Sequence, residues 1–89
     1  MKRDRYFLWY WIDGSEPYWN LINDNIVVEG ETQEQQLDIV RKRYIGRACV
    51  FDQEMVYGYI YEDKLHGGRV LLQSANYHQS IPIEVPHQS

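Results

Sequence analysis

Ser15 lies in Trp11-Ile12-Asp13-Gly14-Ser15-Glu16-Pro17, an apolar run closed by a Gly-Ser turn and a proline. A serine hydroxyl at the end of a strand becomes a nucleophile when a neighbouring base takes its proton. The same residues are what an ordinary turn needs. Other chemistry-bearing groups are sparse. Cys49, His66, His78 and His87 lack the spacing of a zinc site, so no metal or cofactor is expected. Gly67-Gly68 has neither the lysine nor the helix that follows a phosphate loop. Glu62-Asp63, and Asp52 with Glu54, flank turns and read as surface charge. Tyr57, Tyr59 and Tyr61 alternate; such a ladder can stack nucleobases or pack across strands. Arg41, Lys42, Arg43 and Arg47 form the densest positive cluster, suited to phosphate or an acidic partner. They also stand where bases balance a helix C-terminus, with Asp38 four residues before Lys42. A net charge of −4 opposes non-specific nucleic-acid binding.

The elements that must position these groups are those of one domain, residues 1–89. A chain of this length buries roughly 60–65% of its unfolded surface, enough for one modest core. The hydrophobic fraction of 44% excludes general disorder, and three Trp, eight Tyr and two Phe favour surfaces with one apolar and one hydrogen-bonding side. Cys49 is the only cysteine, so no internal disulfide forms and a reducing compartment is expected. No apolar run has membrane-spanning length and no signal peptide is read, so a cytoplasmic protein is the expectation.

Arg5 to Ile12 reads as a strand that is apolar on both faces, with Tyr6, Leu8, Tyr10 and Ile12 on one and Phe7, Trp9 and Trp11 on the other. Such a strand is central and covered on both sides, or presents one face to a partner. Tyr18 to Ile22 is a short strand or a helical turn, and Asn23-Asp24-Asn25 reads as a tight turn into a strand from Ile26 to Glu29. Thr32 with Gln35 predicts a capping box opening the one helix, which Gly46 ends. Leu37, Val40 and Tyr44 are its expected buried stripe, with Ile39 on the flank. Ala48 to Phe51 and Met55 to Tyr61 read as strands, the latter with all three tyrosines on one face. His66-Gly67-Gly68 is a hairpin turn into Arg69 to Gln73, and Ile83-Glu84-Val85, between Pro82 and Pro86, suits an edge strand. His87-Gln88-Ser89 is expected to fray.

Several of these pieces share an order with a known family. Asp13-Gly14-Ser15-Glu16-Pro17 is followed by Asp24-Asn25-Ile26-Val27-Val28, by Gly46-Arg47-Ala48-Cys49-Val50-Phe51, by Gly68 to Asn76 and by Ile81 to Val85. Over about residues 6–85 this resembles the peptidase domain of LexA-like proteins, the group of SOS repressors, UmuD-type proteins and phage repressors. The resemblance implies a serine nucleophile at Ser15 and a lysine base whose pKa is lowered in a dry pocket. Gly58 stands where that lysine would be, in Val56-Tyr57-Gly58-Tyr59-Ile60. Lys64, at a hairpin tip, is expected to stay solvated and protonated. Glu16 replaces the family's methionine, and no Ala-Gly or Cys-Gly dipeptide offers a self-cleavage site. A serine without a base is a poor nucleophile, so the catalytic site is expected to be dead.

The sequence therefore predicts a small α+β domain, mainly antiparallel and partly closed like a barrel, with one amphipathic helix. Its expected function is a non-catalytic interaction or regulatory module, acting by homodimerisation or by docking on a partner protein, as the resemblance implies. Trp9, Trp11, Tyr57, Tyr59 and Tyr61 are the expected contact residues. Two other classes stay open: a serine hydrolase using Ser15, and a small barrel binding single-stranded nucleic acid through its tyrosines and the basic helix end.

Overall fold

The computed structural model describes residues 2–75. The strand expected between Pro82 and Pro86, and the terminal His87-Gln88-Ser89, lie outside the described residues. The chain runs β1 (Lys2–Ile12), β2 (Tyr18–Gly30), α1 (Gln33–Val40) with a π turn (Arg41–Ile45), β3 (Cys49–Met55), β4 (Gly58–Asp63) and β5 (Arg69–Ser74). All strand pairs are antiparallel, in one five-stranded sheet ordered β2-β1-β5-β4-β3. This is the expected α+β domain, but its sheet is open: the end strands β2 and β3 do not pair with each other.

β1 is central, between β2 and β5, which accounts for its two apolar faces. On the face covered by α1, Tyr6 and Leu8 join Ile26, Val28, Leu37, Val40, Cys49, Tyr61, Val70 and Leu72 in the main core. On the opposite face Trp9 and Trp11 pack against a smaller cluster of Trp19, Ile60 and Leu71.

Three local expectations change. Asn23-Asp24-Asn25 is not a turn but part of β2, which runs unbroken for 13 residues. Between the pairs Tyr6↔Ile26 and Trp9↔Leu21, three steps along β1 face five along β2. The extra residues form a bulge, where the Asn25 N–H donates to Asn23 Oδ1 at 2.9 Å. The turn chemistry is present, yet the ladder to β1 carries the strand straight through it.

The helix opens as expected, with Gln35 N–H donating to Thr32 Oγ1 at 3.1 Å. Gln35 Oε1 accepts in return from Glu31 N–H at 2.8 Å. Its buried stripe, however, does not reach Tyr44, which is 43% exposed. The last turn is π, closed by Gly46 N–H donating to Arg41 O at 2.7 Å. One extra residue in that turn moves the stripe from position 44 to Ile45, which packs on the core. Gly46, at φ 92°, then ends it.

The third change concerns the tyrosines. Val56 and Tyr57 form the turn between β3 and β4, so Tyr57 is not on one strand with Tyr59 and Tyr61. It packs on the far cluster, whereas Tyr59 and Tyr61 belong to the face under α1. The expected ladder is thereby divided between the two faces.

The core also holds a polar pair that hydrophobic periodicity does not mark. Gln36 is 1% exposed, and Tyr6, at 0%, donates its hydroxyl to Gln36 Oε1 at 2.8 Å. Gln36 Nε2 donates to Gly30 O at 3.3 Å and Lys2 O at 3.4 Å. The helix is thus tied to the β1–β2 end of the sheet, away from β3.

Candidate functional site

Ser15 occupies an exposed bend between β1 and β2 and makes no hydrogen bond to any described residue. Lys64 is committed elsewhere, donating to Glu62 Oε1 at 3.0 Å. Gly58 is not a vacant place for a lysine. A Cβ there would stand 2.7 Å from the Leu72 carbonyl oxygen and 2.8 Å from Leu71 Cδ1, where β4 begins beside its partner β5. Any side chain at this position has to push a backbone carbonyl aside. Among the described residues no side chain is hydrogen-bonded to Ser15 as a base, and no cluster of metal-ligating groups occurs.

The five expected contact residues separate into two sets. Trp9, Trp11 and Tyr57 lie on the face away from α1, where Trp11 meets Trp19 edge to face at 5.3 Å between ring centroids. Trp9 Nε1 and Trp19 Nε1 are buried there without an acceptor among the described residues. Each costs free energy as a desolvated donor. Tyr59 and Tyr61 instead line a groove on the helix side.

That groove arises from the way α1 is tied down. The Gln36 anchor draws the helix over β1 and β2, and β4 and β3 extend beyond it. A space of about 670 Å³ is left between them, lined by Gln33, Leu37, Val50, Phe51, Tyr59 and Tyr61, with Glu34, Asp38 and Arg41 along the helix rim. Its floor is apolar and aromatic: the Phe51 and Tyr61 rings meet edge to face, centroids 5.9 Å apart. Tyr59 bridges the groove's end, its hydroxyl donating to Gln33 Oε1 at 2.7 Å. Burial pushes the Tyr61 phenol up from its ordinary value, so it is neutral at physiological pH.

β3 forms the outer wall and is an end strand, with β4 as its only described neighbour. Phe51 is 57% exposed and Val50 40%, unusual for large apolar side chains beside a core. At Asp52 the strand bulges, since two steps from Phe51 to Gln53 face one from Tyr61 to Ile60. The bulge returns Glu54, opposite Tyr59, to the groove face.

The rim charges differ from one end to the other. Beside Tyr61, Asp38 accepts from Arg41 at 2.8 Å and from Lys42 at 2.9 Å. The hydrogen bonds from Lys42 and Arg41 hold its carboxyl below the usual carboxylate range. Beside Tyr59, Glu34 and Glu54 have no cationic partner among the described residues, nor does Asp52 on the bulge.

The groove presents apolar and aromatic surface with charged groups along its rim. Sequence reasoning found Tyr59 and Tyr61 but missed Phe51, Val50, Leu37 and Gln33 as their companions. The available signal was Val50-Phe51 running directly into Asp52-Gln53-Glu54, an apolar pair beside acids with no alternation between. Compared with protein-family models, with curated proteins and with solved structures, the chain matches none.

Proposed function

We propose that this domain is a non-catalytic protein-binding module that receives a partner in the groove between α1 and β3. The observation that carries the reading is Phe51, 57% exposed on a strand whose outer edge has no partner among the described residues, and in ring contact with a core tyrosine. A large aromatic side chain in that position gains most from a partner that completes its burial. On this reading the likeness to LexA-like peptidase domains lies in the order of motifs, and the chemistry has gone with the base. The hydrolase alternative has only the exposed Ser15. The nucleic-acid alternative has less support, because Tyr57 is turned away from Tyr59 and Tyr61, and Arg41 and Lys42 are both engaged by Asp38.

Affinity capture from host extract tests the proposal. The chain is compared with Phe51→Glu and with Leu65→Glu, a control on the exposed β4–β5 turn. The reading expects a protein retained by the native chain and by Leu65→Glu and lost with Phe51→Glu. Equal retention by all three, or a monomer that retains nothing, overturns it.

A further inference from the structure

The groove's two ends favour one kind of occupant. The outer edge of β3 carries main-chain N–H and C=O groups with no partner strand among the described residues. An extended segment laid along it satisfies those groups and turns alternate side chains toward α1. At the Phe51–Tyr61 end such side chains meet Leu37 and two aromatic rings, with the Asp38 charge already neutralised by Arg41 and Lys42. At the Tyr59 end they meet Glu34 from the helix, and Glu54, opposite Tyr59 on β3, stands beside that end with Asp52 on the adjacent bulge. Two carboxylates there outweigh the roughly half positive charge of the α1 N-terminus.

Charges and bulges on an end strand commonly serve only to prevent pairing between copies. Two features go beyond that role. Protection alone does not leave Val50 and Phe51, at 40% and 57% exposure, on the protected edge. Glu34 is not on the edge at all; it approaches the same space from the helix. The acids also discriminate among occupants. A second copy pairing antiparallel through β3 about Gln53 sets each Asp52 opposite the other copy's Glu54, and like charges set opposite each other repel. A nucleic-acid backbone meets the same repulsion.

We infer that the groove takes an extended basic–apolar segment of a partner protein, added as a sixth strand along β3, with apolar side chains on Phe51, Leu37 and Tyr61 and a Lys or Arg side chain between Glu34 and Glu54. This rests on the groove reading above and specifies its ligand.

The probe is a synthetic peptide of alternating valine with lysine or arginine, as long as the 7-residue β3. Three comparisons accompany it: a valine–glutamate peptide, an N-methylated basic peptide that cannot pair along the edge, and the full chain carrying Glu34→Gln with Glu54→Gln. Binding is located by amide chemical shifts and titrated at two salt concentrations. The inference expects shifts along Val50–Gln53 and around Leu37, loss of binding on N-methylation, and an affinity about five- to tenfold weaker for the double variant, as two rim charges allow. It also expects weakening between about 0.1 and about 0.5 M salt. Equal binding of the acidic peptide, retained binding after N-methylation, shifts confined to β2, no binding, or a chain that dimerises through β3 each overturn it. If extract capture depends on Phe51 and the basic peptide does not compete, the ligand assignment fails and the groove reading stands. If capture is indifferent to Phe51, both fail.

Discussion

Replacing Tyr6 with Phe removes one hydroxyl from the core and tests whether the Tyr6–Gln36 pair holds α1 where the groove needs it. Tyr6 is 0% exposed and Gln36 1%, so without the hydroxyl Gln36 Oε1 is left in a space that water does not reach. An orphaned buried acceptor costs about 1–3 kcal/mol. In a domain of this size each kcal/mol moves Tm by about 4–8 °C. Urea unfolding followed by tryptophan fluorescence measures the loss directly. Gln36→Leu strands the phenol in the same way, but Tyr6→Phe with Gln36→Leu replaces both partners by apolar groups. The double variant is therefore expected to lose about 1 kcal/mol less than the sum of the singles. The pair also has a pH signature. Burial pushes Tyr6 from 10.0 to about 12. A pKa raised by folding means the neutral phenol contributes stability fully below pH 10.0, and the contribution is lost as pH rises towards about 12. Across that window the loss is on the order of 2–3 kcal/mol. Burial raises Tyr61 and Cys49 too, with the same sign, but both remain in Tyr6→Phe. The difference between native and variant curves thus isolates Tyr6. A variant within about 0.3 kcal/mol of the native chain, additive singles and an unchanged alkaline limb would refute the pair's role.

Two further substitutions separate the structural from the catalytic reading. Gly58→Ala is expected to destabilise by about 1–3 kcal/mol, because its Cβ meets the Leu72 carbonyl at 2.7 Å rather than a movable side-chain tip; an unmoved urea midpoint counts against the close approach of Gly58 to β5. Ser15→Ala is expected to leave stability within about 0.5 kcal/mol and partner capture intact, and a hydrolytic activity that disappears with it sinks the non-catalytic proposal.

What could be read from the sequence follows the range of the forces involved. Thr32, Gln35 and Gly46 announced the helix ends because caps are local, decided by residues three or four apart. The His66-Gly67-Gly68 hairpin was legible for the same reason: Asp63 Oδ1 accepts from Leu65 and His66 N–H at 2.9 and 3.1 Å, and Gly67 takes φ 78°. The two apolar faces of β1 left a central strand or one that meets a partner, and β1 is central. The failures occur where distant partners decide. Asn23-Asp24-Asn25 has the composition of a turn, but its fate was set by pairing with β1, about fifteen residues earlier in the chain, and local preference is worth less than an unbroken ladder. The π turn that displaced Tyr44 leaves no compositional mark.

The candidate site was half legible for a related reason. Alternation places Tyr57, Tyr59 and Tyr61 on one face only if one strand contains all three, and the two-residue turn at Val56-Tyr57 breaks that condition. Such a turn lacks the Asn-Gly or Asp-Gly that normally announces it. Its cause lies instead at Gly58, the one residue whose missing side chain lets β4 lie against the Leu72 carbonyl. The residue that first read as the place of a lost lysine is therefore better understood as a packing requirement. Because β4 begins there, Tyr59 and Tyr61 face α1 while Tyr57 goes to the tryptophans. Gly58 thus sets which aromatics face the groove, and Gln36 sets how far the helix stands from β3. Neither residue touches a ligand in the proposed complex. Both were outside any search for chemistry-bearing side chains, since one has no side chain and the other is a neutral amide in the core. A groove made by backbone proximity and one buried amide leaves its trace in the sequence only through what it exposes, Val50 and Phe51 beside two acids, Asp52 and Glu54.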